Sequence, residues 1–355
     1  MEFGLSAEQR LLTDSVVRYL RDQAPLSRVR QVADGGQADD LIAGITELGI
    51  PALLIEDTHG GVGLTALDAC LVAEVLGYHV APVPFVGNAV IAPTALRLAG
   101  SPAQQRTYLP KIAAGEMIFG AGLAQRTGAR AGTGVSASNG RLTGATRFVL
   151  DFAADAYVVA DSDNGLHIVL ADASGLERRG LETIDRTRPI GELIFTNTPA
   201  ERLPDATESN IATILAVGRA ALAADTLGAA QYMLDQAVDY AKQRHQFGRP
   251  IGSFQAVKHM CAEMAANLEP TRAFMWYAGN AFAALPDEAP RLAGHFKAHI
   301  SEVGTFVAKT ATEVHGGMGF TDLVGLHYWF KRIGFNRQLL GSPERLRQEV
   351  SVFFL

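Results

Sequence analysis

The hydrophobic period of this chain changes twice, from helical to strand-like and back, and that order restricts the folds open to it. Ser6-Ala7-Glu8-Gln9 has the form of a capping box, and Leu11, Leu12, Val16, Val17 and Leu20 follow at helical spacing on one face. Residues 41–48, 67–76 and 104–114 repeat the period, punctuated by Gly60-Gly61-Val62-Gly63 and by Pro82, Pro84 and Pro93. After Phe119 come short β-prone runs at 156–159, 167–170 and 193–195, separated by Asn139-Gly140, Asp163-Asn164-Gly165 and Gly175. Past the polar stretch 205–210, helical patterns return over 211–244, 254–285, 289–315 and 339–354. Segregated helices and strands predict an α+β protein rather than a doubly wound sheet. The expected units are an N-terminal helical domain (1–118), a small antiparallel β domain (119–208) and a C-terminal four-helix bundle (209–355).

Composition narrows the function. With 355 residues, 48% of them hydrophobic, the chain can hold two or three packed units. A net charge of -6 leaves no basic surface for nucleic acid, whose binding rests on phosphate neutralisation. Cys70 and Cys261 lack metal-ligand spacing and read as buried free thiols in a reducing compartment. No basic stretch with an apolar core opens the sequence and no run of eighteen apolar residues occurs, so a soluble cytoplasmic protein without a membrane partner is expected. Gly61-Val62-Gly63 does not complete a dinucleotide-binding glycine fingerprint, which argues against a nicotinamide enzyme. His295 and His299 stand at i, i+4 without a third ligand, so no metal site is expected. Trp276-Tyr277 and Tyr328-Trp329-Phe330 read as core aromatics, and the Gly, Ala, Ser and Thr-rich stretch 128–140 reads as a flexible loop.

Two motifs carry chemistry. Arg244 ends a long helical pattern and leads through His245-Gln246-Phe247-Gly248-Arg249 to Pro250-Ile251 and Phe254-Gln255, a turn able to present a guanidinium to an anion. The second is His315-Gly316-Gly317-Met318-Gly319-Phe320, whose glycine pair admits a ligand close to the backbone. Together they resemble the flavin-binding signatures of the acyl-CoA dehydrogenase family. The resemblance runs nearly end to end, through Leu48-Gly49-Ile50, Glu74-Val75-Leu76-Gly77, Gln104-Gln105-Arg106-Thr107-Tyr108-Leu109-Pro110-Lys111-Ile112 and Glu269-Pro270-Thr271-Arg272. It implies FAD as cofactor, an acyl-CoA substrate, an electron-transfer flavoprotein as acceptor, and a homo- or hetero-oligomer. In that assembly Arg244, Gln246, Phe247, Glu313, Gly316 and Gly317 would contact the flavin nucleotide of a neighbouring subunit, and Arg219 would belong to the active-site wall. Glu313 replaces the family's usual Gln, and its charge would repel a phosphate unless paired.

The departures from the family pattern carry the functional question. The family's catalytic Glu aligns with Leu340, and the alternative position on the preceding helix aligns with Gly218, so neither site holds a base. Glu344, one turn beyond Leu340 in the expected helix, is the remaining candidate. Two β-domain stretches that contact the flavin ring in the family read Leu123-Ala124-Gln125-Arg126-Thr127 and Phe148-Val149-Leu150, with the usual polar groups gone. Lys331-Arg332 replaces an Arg-Asp pair and reads as a lost ion pair or a solvated face. The ending Leu339-Leu340-Gly341-Ser342-Pro343 resembles that of the non-catalytic subunit in α2β2 acyl-CoA dehydrogenases for bulky acyl groups, which implies a homologous catalytic partner. Three alternatives stay open: a self-sufficient homotetramer using Glu344, a flavin monooxygenase on the same fold, and a flavin-free scaffold.

Overall fold

A computed structural model describes residues 4–128 and 134–351 of the chain. The N-terminal helices are α1 (Ala7–Gln23), α2 (Leu26–Ala33), α3 (Asp39–Glu47), α4 (Ala66–Tyr78), α5 (Ala92–Ala99) and α6 (Pro102–Ala113), with a π-helical turn at Val86–Ile91 leading into α5. The expected capping box starts α1: the Gln9 N–H donates to Ser6 Oγ at 3.1 Å and the Ser6 N–H to Gln9 Oε1 at 3.0 Å. The buried face of α1 is narrower than its period suggests. Val16 and Leu20 are fully buried, whereas Leu11 is 68% and Val17 39% exposed, because only one edge of the stripe meets α4.

The middle unit has strands β1 (Phe119–Gly122), β2 (Gly134–Ser138), β3 (Arg141–Val149), β4 (Ala156–Ala160), β5 (Leu166–Leu170), β6 (Leu176–Gly180), β7 (Gly191–Pro199) and β8 (Glu201–Arg202). They form two sheets, ordered β1-β4-β5-β8 and β2-β3-β7-β6. The expected all-antiparallel domain is corrected in one place: β1 runs parallel to β4, because the long excursion through β2 and β3 returns the chain in the same direction. Asn139 and Gly140, both at positive φ, close the β2–β3 hairpin, so much of the expected loop at 128–140 is strand and turn. Residues 129–133 of that stretch lie outside the described residues.

The C-terminal unit comprises α7 (Glu208–Gln243), a two-residue pair β9 (His245–Gln246) with β10 (Arg249–Pro250), α8 (Gln255–Ala284), α9 (Ala289–His315), α10 (His327–Asn336) and α11 (Pro343–Ser351). Three long antiparallel helices therefore make the bundle, and α10 and α11 close it in place of the single expected fourth helix. That expectation failed at residues 339–342, where Leu340 and Gly341 take positive φ values of 55° and 111° and end any helical run; residues 352–354 are outside the described residues. Helix α7 is long and apolar enough to cross a membrane by composition, yet 89% of its most apolar window is buried within the protein, as in a core helix. Against α4 it packs backbone to backbone: a Cβ on Gly77 would overlap the Asp225 carbonyl, and one on Gly228 the Glu74 carbonyl.

A buried polar cluster joins the units. Arg332 of α10, 1% exposed, donates from Nε to Asp185 at 2.5 Å and from Nη1 to Asp225 of α7 at 3.1 Å. Arg188 donates to the same Asp225 oxygen at 3.0 Å and to Asn336 at 2.6 Å, and Asn336 donates to Asp225 Oδ1 at 2.6 Å. Arg332 also reaches the Ala81 carbonyl of the N-terminal unit at 3.4 Å. Burial pushes the Asp185 carboxyl up, but Arg332 and Arg188 beside it outweigh this and the net shift is downward. Lys331-Arg332 is thus neither a lost ion pair nor a solvated face: Arg332 is the centre of the cluster. Replacing it in Arg332→Met should cost about 3–5 kcal/mol, since two buried carboxylates lose their main cation. Urea unfolding of variant and parent would measure it, and a loss below about 1 kcal/mol would contradict the assignment.

Candidate active site and cofactor-contact surface

The two positions where a base was sought meet in space. Gly218 lies in the N-terminal third of α7, within its buried length, and a Cβ built on it would sit 3.0 Å from Leu340 Cδ1 and 2.9 Å from Ile91 Cδ1. Leu340 itself is 8% exposed. The three residues that meet here are a glycine, a leucine and an isoleucine, none able to take a proton. The turn carrying Leu340 is held by cations. Arg219 donates from Nε to the Leu340 carbonyl at 2.9 Å, and Lys297 from Nζ to the Gly341 carbonyl at 2.7 Å. Arg219 accordingly stands beside Leu340 and Gly341 at this turn. Glu344 does not enter it. In the first turn of α11 its carboxylate is 64% exposed and 2.6 Å from Arg337 Nη2. Its own backbone N–H, the Ser342 hydroxyl and Arg337 hold it below the usual carboxylate range, the wrong direction for a base at neutral pH.

A cavity of about 290 Å³ lies on the far side of Arg219. Arg126, Arg291 and Arg345 line it with Arg219 against two carboxylates, Glu208 and Glu349, a surplus of cations suited to a phosphate or carboxylate. Glu349 bridges Arg219 and Arg345, 2.8 Å from each.

The β-domain stretches next to this region use their backbone groups internally. Leu150 and Ala121 exchange hydrogen bonds of 2.9 and 3.0 Å, and the N–H groups of Arg126 and Thr127 close the turn onto Leu123 and Ala124. With Leu123, Val149 and Leu150 buried, these segments offer few free polar groups to a flavin ring. Asp151, at φ 50°, instead accepts from the Gly87 and Asn88 N–H groups at 2.6 and 3.1 Å, tying the β domain to the turn that carries Ile91. Burial pushes its carboxyl up.

The flavin-signature residues gather elsewhere, at the far end of the bundle. Arg244, Gln246, Phe247, Glu313, Gly316 and Gly317 are all exposed, and a stack of Tyr240 on His315, 4.6 Å between ring centres, joins the ends of α7 and α9 that carry them. Phe247 and Gly248, at φ 54° and 77°, form the two-residue turn between β9 and β10, leaving the Phe247 ring 92% exposed. A Cβ on Gly316 or Gly317 would meet nothing within 4 Å, so this backbone is open to a ligand. The arrangement fits a dinucleotide held from outside the chain. Arg244 follows Gly218 by 26 residues along one helix, which places the two ends roughly 39 Å apart.

Among the described residues no group of three potential ligands could hold a metal ion, and His299 bonds Thr271 at 3.2 Å. Cys261 is half-buried rather than buried. Of the aromatics expected in the core, Trp329 is buried, stacked on Tyr232 at 3.8 Å, but Tyr277 and Phe330 are 51% and 39% exposed and Trp276 is half-buried. Sequence reasoning missed Lys297, Glu349 and Asp151. For Lys297 a signal exists: it stands on the apolar stripe of Ala293, Phe296 and Ile300, where a solvated lysine has no place.

Burial lowers the Lys297 pKa to about 7, with Arg219 and Arg337 adding repulsion. The unfolded chain therefore holds more protons than the folded one between pH 7 and the ordinary lysine value near 10, and stability from this group rises with pH across that window. Urea midpoints measured from pH 6.5 to 9.5 should rise in the parent and flatten in Lys297→Met. Parallel pH profiles for the two would show that Lys297 is charged throughout.

The sequence matches the N-terminal domain of acyl-CoA dehydrogenase over residues 6–116 and its C-terminal domain over 209–352. It is 32% identical over 353 residues to acyl-CoA dehydrogenase IpdE2 of Mycobacterium tuberculosis, covering 97% of each chain. Among solved structures, a variant of the Tcur3481-Tcur3483 steroid ACAD is 28% identical with a TM-score of 0.86, over 98% of this chain and 97% of that one. The ChsE4-ChsE5 complex of Mycobacterium tuberculosis shares the fold at a TM-score of 0.91 and 24% identity, over 100% and 99% of the two chains. Sequence and architecture agree that this chain belongs to the acyl-CoA dehydrogenase family, oxidoreductases acting on acyl-CoA thioesters.

Proposed function

We propose that this chain is the base-lacking subunit of a heteromeric, FAD-dependent acyl-CoA dehydrogenase, and that it lends its Arg244–Gly248 hairpin and Gly316-Gly317 to the flavin of a homologous catalytic subunit. The observation that carries this reading is the contrast between the two ends of α7. Toward its N-terminus the two family base positions touch each other as glycine and leucine; at its C-terminal end Arg244, Gln246, Phe247, Gly316 and Gly317 keep the signature and are exposed, with Glu313 the one substituted position. With roughly 39 Å between Gly218 and the hairpin, the hairpin in this reading serves a cofactor outside its own chain. FAD would supply the hydride acceptor. Arg244 and Arg249 would neutralise the pyrophosphate, Phe247 would pack on the nucleotide, and the glycines would let the backbone approach. The α-proton would go to a carboxylate of the partner, because Leu340 and Gly218 cannot accept it.

The substrate class we assign is a bulky acyl-CoA such as one bearing a steroid ring system. Support comes from the steroid ACAD relative and from the loss of one base per pair of subunits, which frees room beside the remaining site. Electrons would leave to an electron-transfer flavoprotein. The self-sufficient reading with Glu344 as base conflicts with its exposed pairing to Arg337.

Purified alone, the chain should carry no flavin that bleaches on anaerobic addition of acyl-CoAs; co-expressed with a homologue that retains the Glu, it should form a yellow assembly that bleaches. Bleaching by the chain alone would end the proposal. Arg244→Ala in the mixed assembly should lower bound flavin per tetramer, and unchanged flavin would remove the hairpin from the cofactor site. Leu340→Glu alone should restore no bleaching at this chain's own site, because the neighbouring β-domain amides remain paired with one another. Turnover there would show that the base alone had been lost.

A further inference from the structure

Helices α1, α4, α7 and α8 border an open cavity of about 420 Å³ that shares no lining residue with the Arg219 cavity or the hairpin. Its apolar wall includes Val17, Leu71 and Val75, and His79, Arg272 and Trp276 share it with Glu74, Gln231 and Tyr78. Two of these carry buried nitrogens without a partner in the protein: His79 Nε2 and Trp276 Nε1. Leaving such a group unpaired typically costs about 1–3 kcal/mol, so a molecule that bonds them recovers that cost. Arg272, by contrast, is already committed to Glu74, to Gln231 at 2.7 Å and to Glu269 at 3.5 Å. Burial pushes the His79 imidazole down to about 4, so the ring is neutral at physiological pH and brings no charge of its own.

We propose that this cavity is a second ligand site, for a small neutral molecule with an apolar ring body and a carbonyl or hydroxyl oxygen that accepts the Trp276 indole N–H and bonds His79. An anion gains little there, because the one cation is spent on carboxylates. An apolar body covers Val17, which otherwise stands 39% exposed at the rim. The volume lies within the range of small-molecule sites, about 300–1,000 Å³. The proposal is independent of the subunit role argued above, since it uses none of the hairpin, Leu340 or Gly218.

The chain has two tryptophans, and they behave as signal and control. Trp329 Nε1 already donates to the Tyr78 carbonyl at 2.8 Å, whereas Trp276 Nε1 is free. The full chain, labelled with ¹⁵N, is titrated with 2-acetonaphthone, naphthalene and 2-naphthoate while the two indole cross-peaks are followed, with Trp276→Phe used to assign them. The ketone should shift the Trp276 peak saturably and more than the Trp329 peak, and bind about fivefold more tightly than naphthalene, the worth of one hydrogen bond. His79→Leu should weaken ketone binding and leave naphthalene unchanged. Comparing the ligands in the parent protein needs no variant to fold. No saturable shift with the ketone, equal affinity for ketone and naphthalene, or tighter binding of 2-naphthoate would each overturn the proposal.

Discussion

Arg332 sits where three units of the chain converge, and its pairing with Asp185 and Asp225 sets how they meet. A guanidinium with 1% exposure is stable only if its donors are spent, and here they go to the β domain, to α7 and to the Ala81 carbonyl. Arg188 and Asn336 complete the set, so Asp225 accepts on both oxygens. The cluster adds direction to an otherwise apolar core. Sliding α7 against α10 by one residue would strand the Asp225 carboxylate, so the register of the long helix is specified. Register matters because α7 carries Gly218 in its N-terminal third and leads directly into Arg244.

That rigid span bears on the subunit role proposed for this chain. Gly218 and Arg244 are fixed to the same helix, roughly 39 Å apart, and are never neighbours within one subunit. A change at Leu340 therefore leaves the hairpin untouched, and under the proposed role the hairpin would serve a flavin brought by another subunit. The turn at Leu340 and Gly341 is firmly built, with Arg219 and Lys297 donating to its carbonyls and Glu349 holding Arg219 from the other side. On the proposed role, only the proton acceptor is missing from an otherwise well-held turn.

Length and caps located the helices well: α9 buries a clear apolar stripe, whereas α4 and α7 are buried almost all round and were legible as long apolar runs without breakers. Residues 289–315 were read to the residue, since Pro290 opens that helix and Gly316 at φ 58° closes it. Strands were harder to read. β3 carries register shifts and β6 is largely exposed, so alternation fails, and the parallel pairing of β1 with β4 leaves no local trace. Helical spacing across 339–354 was misleading because two residues at positive φ interrupt it, and a leucine at φ 55° is not something composition announces.

By itself the sequence determined the family and the α then β then α order, and it supplied the two motifs and the two aligned positions on which the proposed role rests, because each depends only on which residues occur and at what spacing. Tertiary structure decided which of them share a site. It set Gly218 against Leu340, turned Glu344 outward to Arg337, buried Arg332 between two aspartates and left Trp276 on a cavity wall. Those outcomes depend on how helices cross and where a turn reverses the chain, and both are fixed by contacts between residues more than a hundred positions apart, such as Arg219 with Leu340 and Arg332 with Asp185.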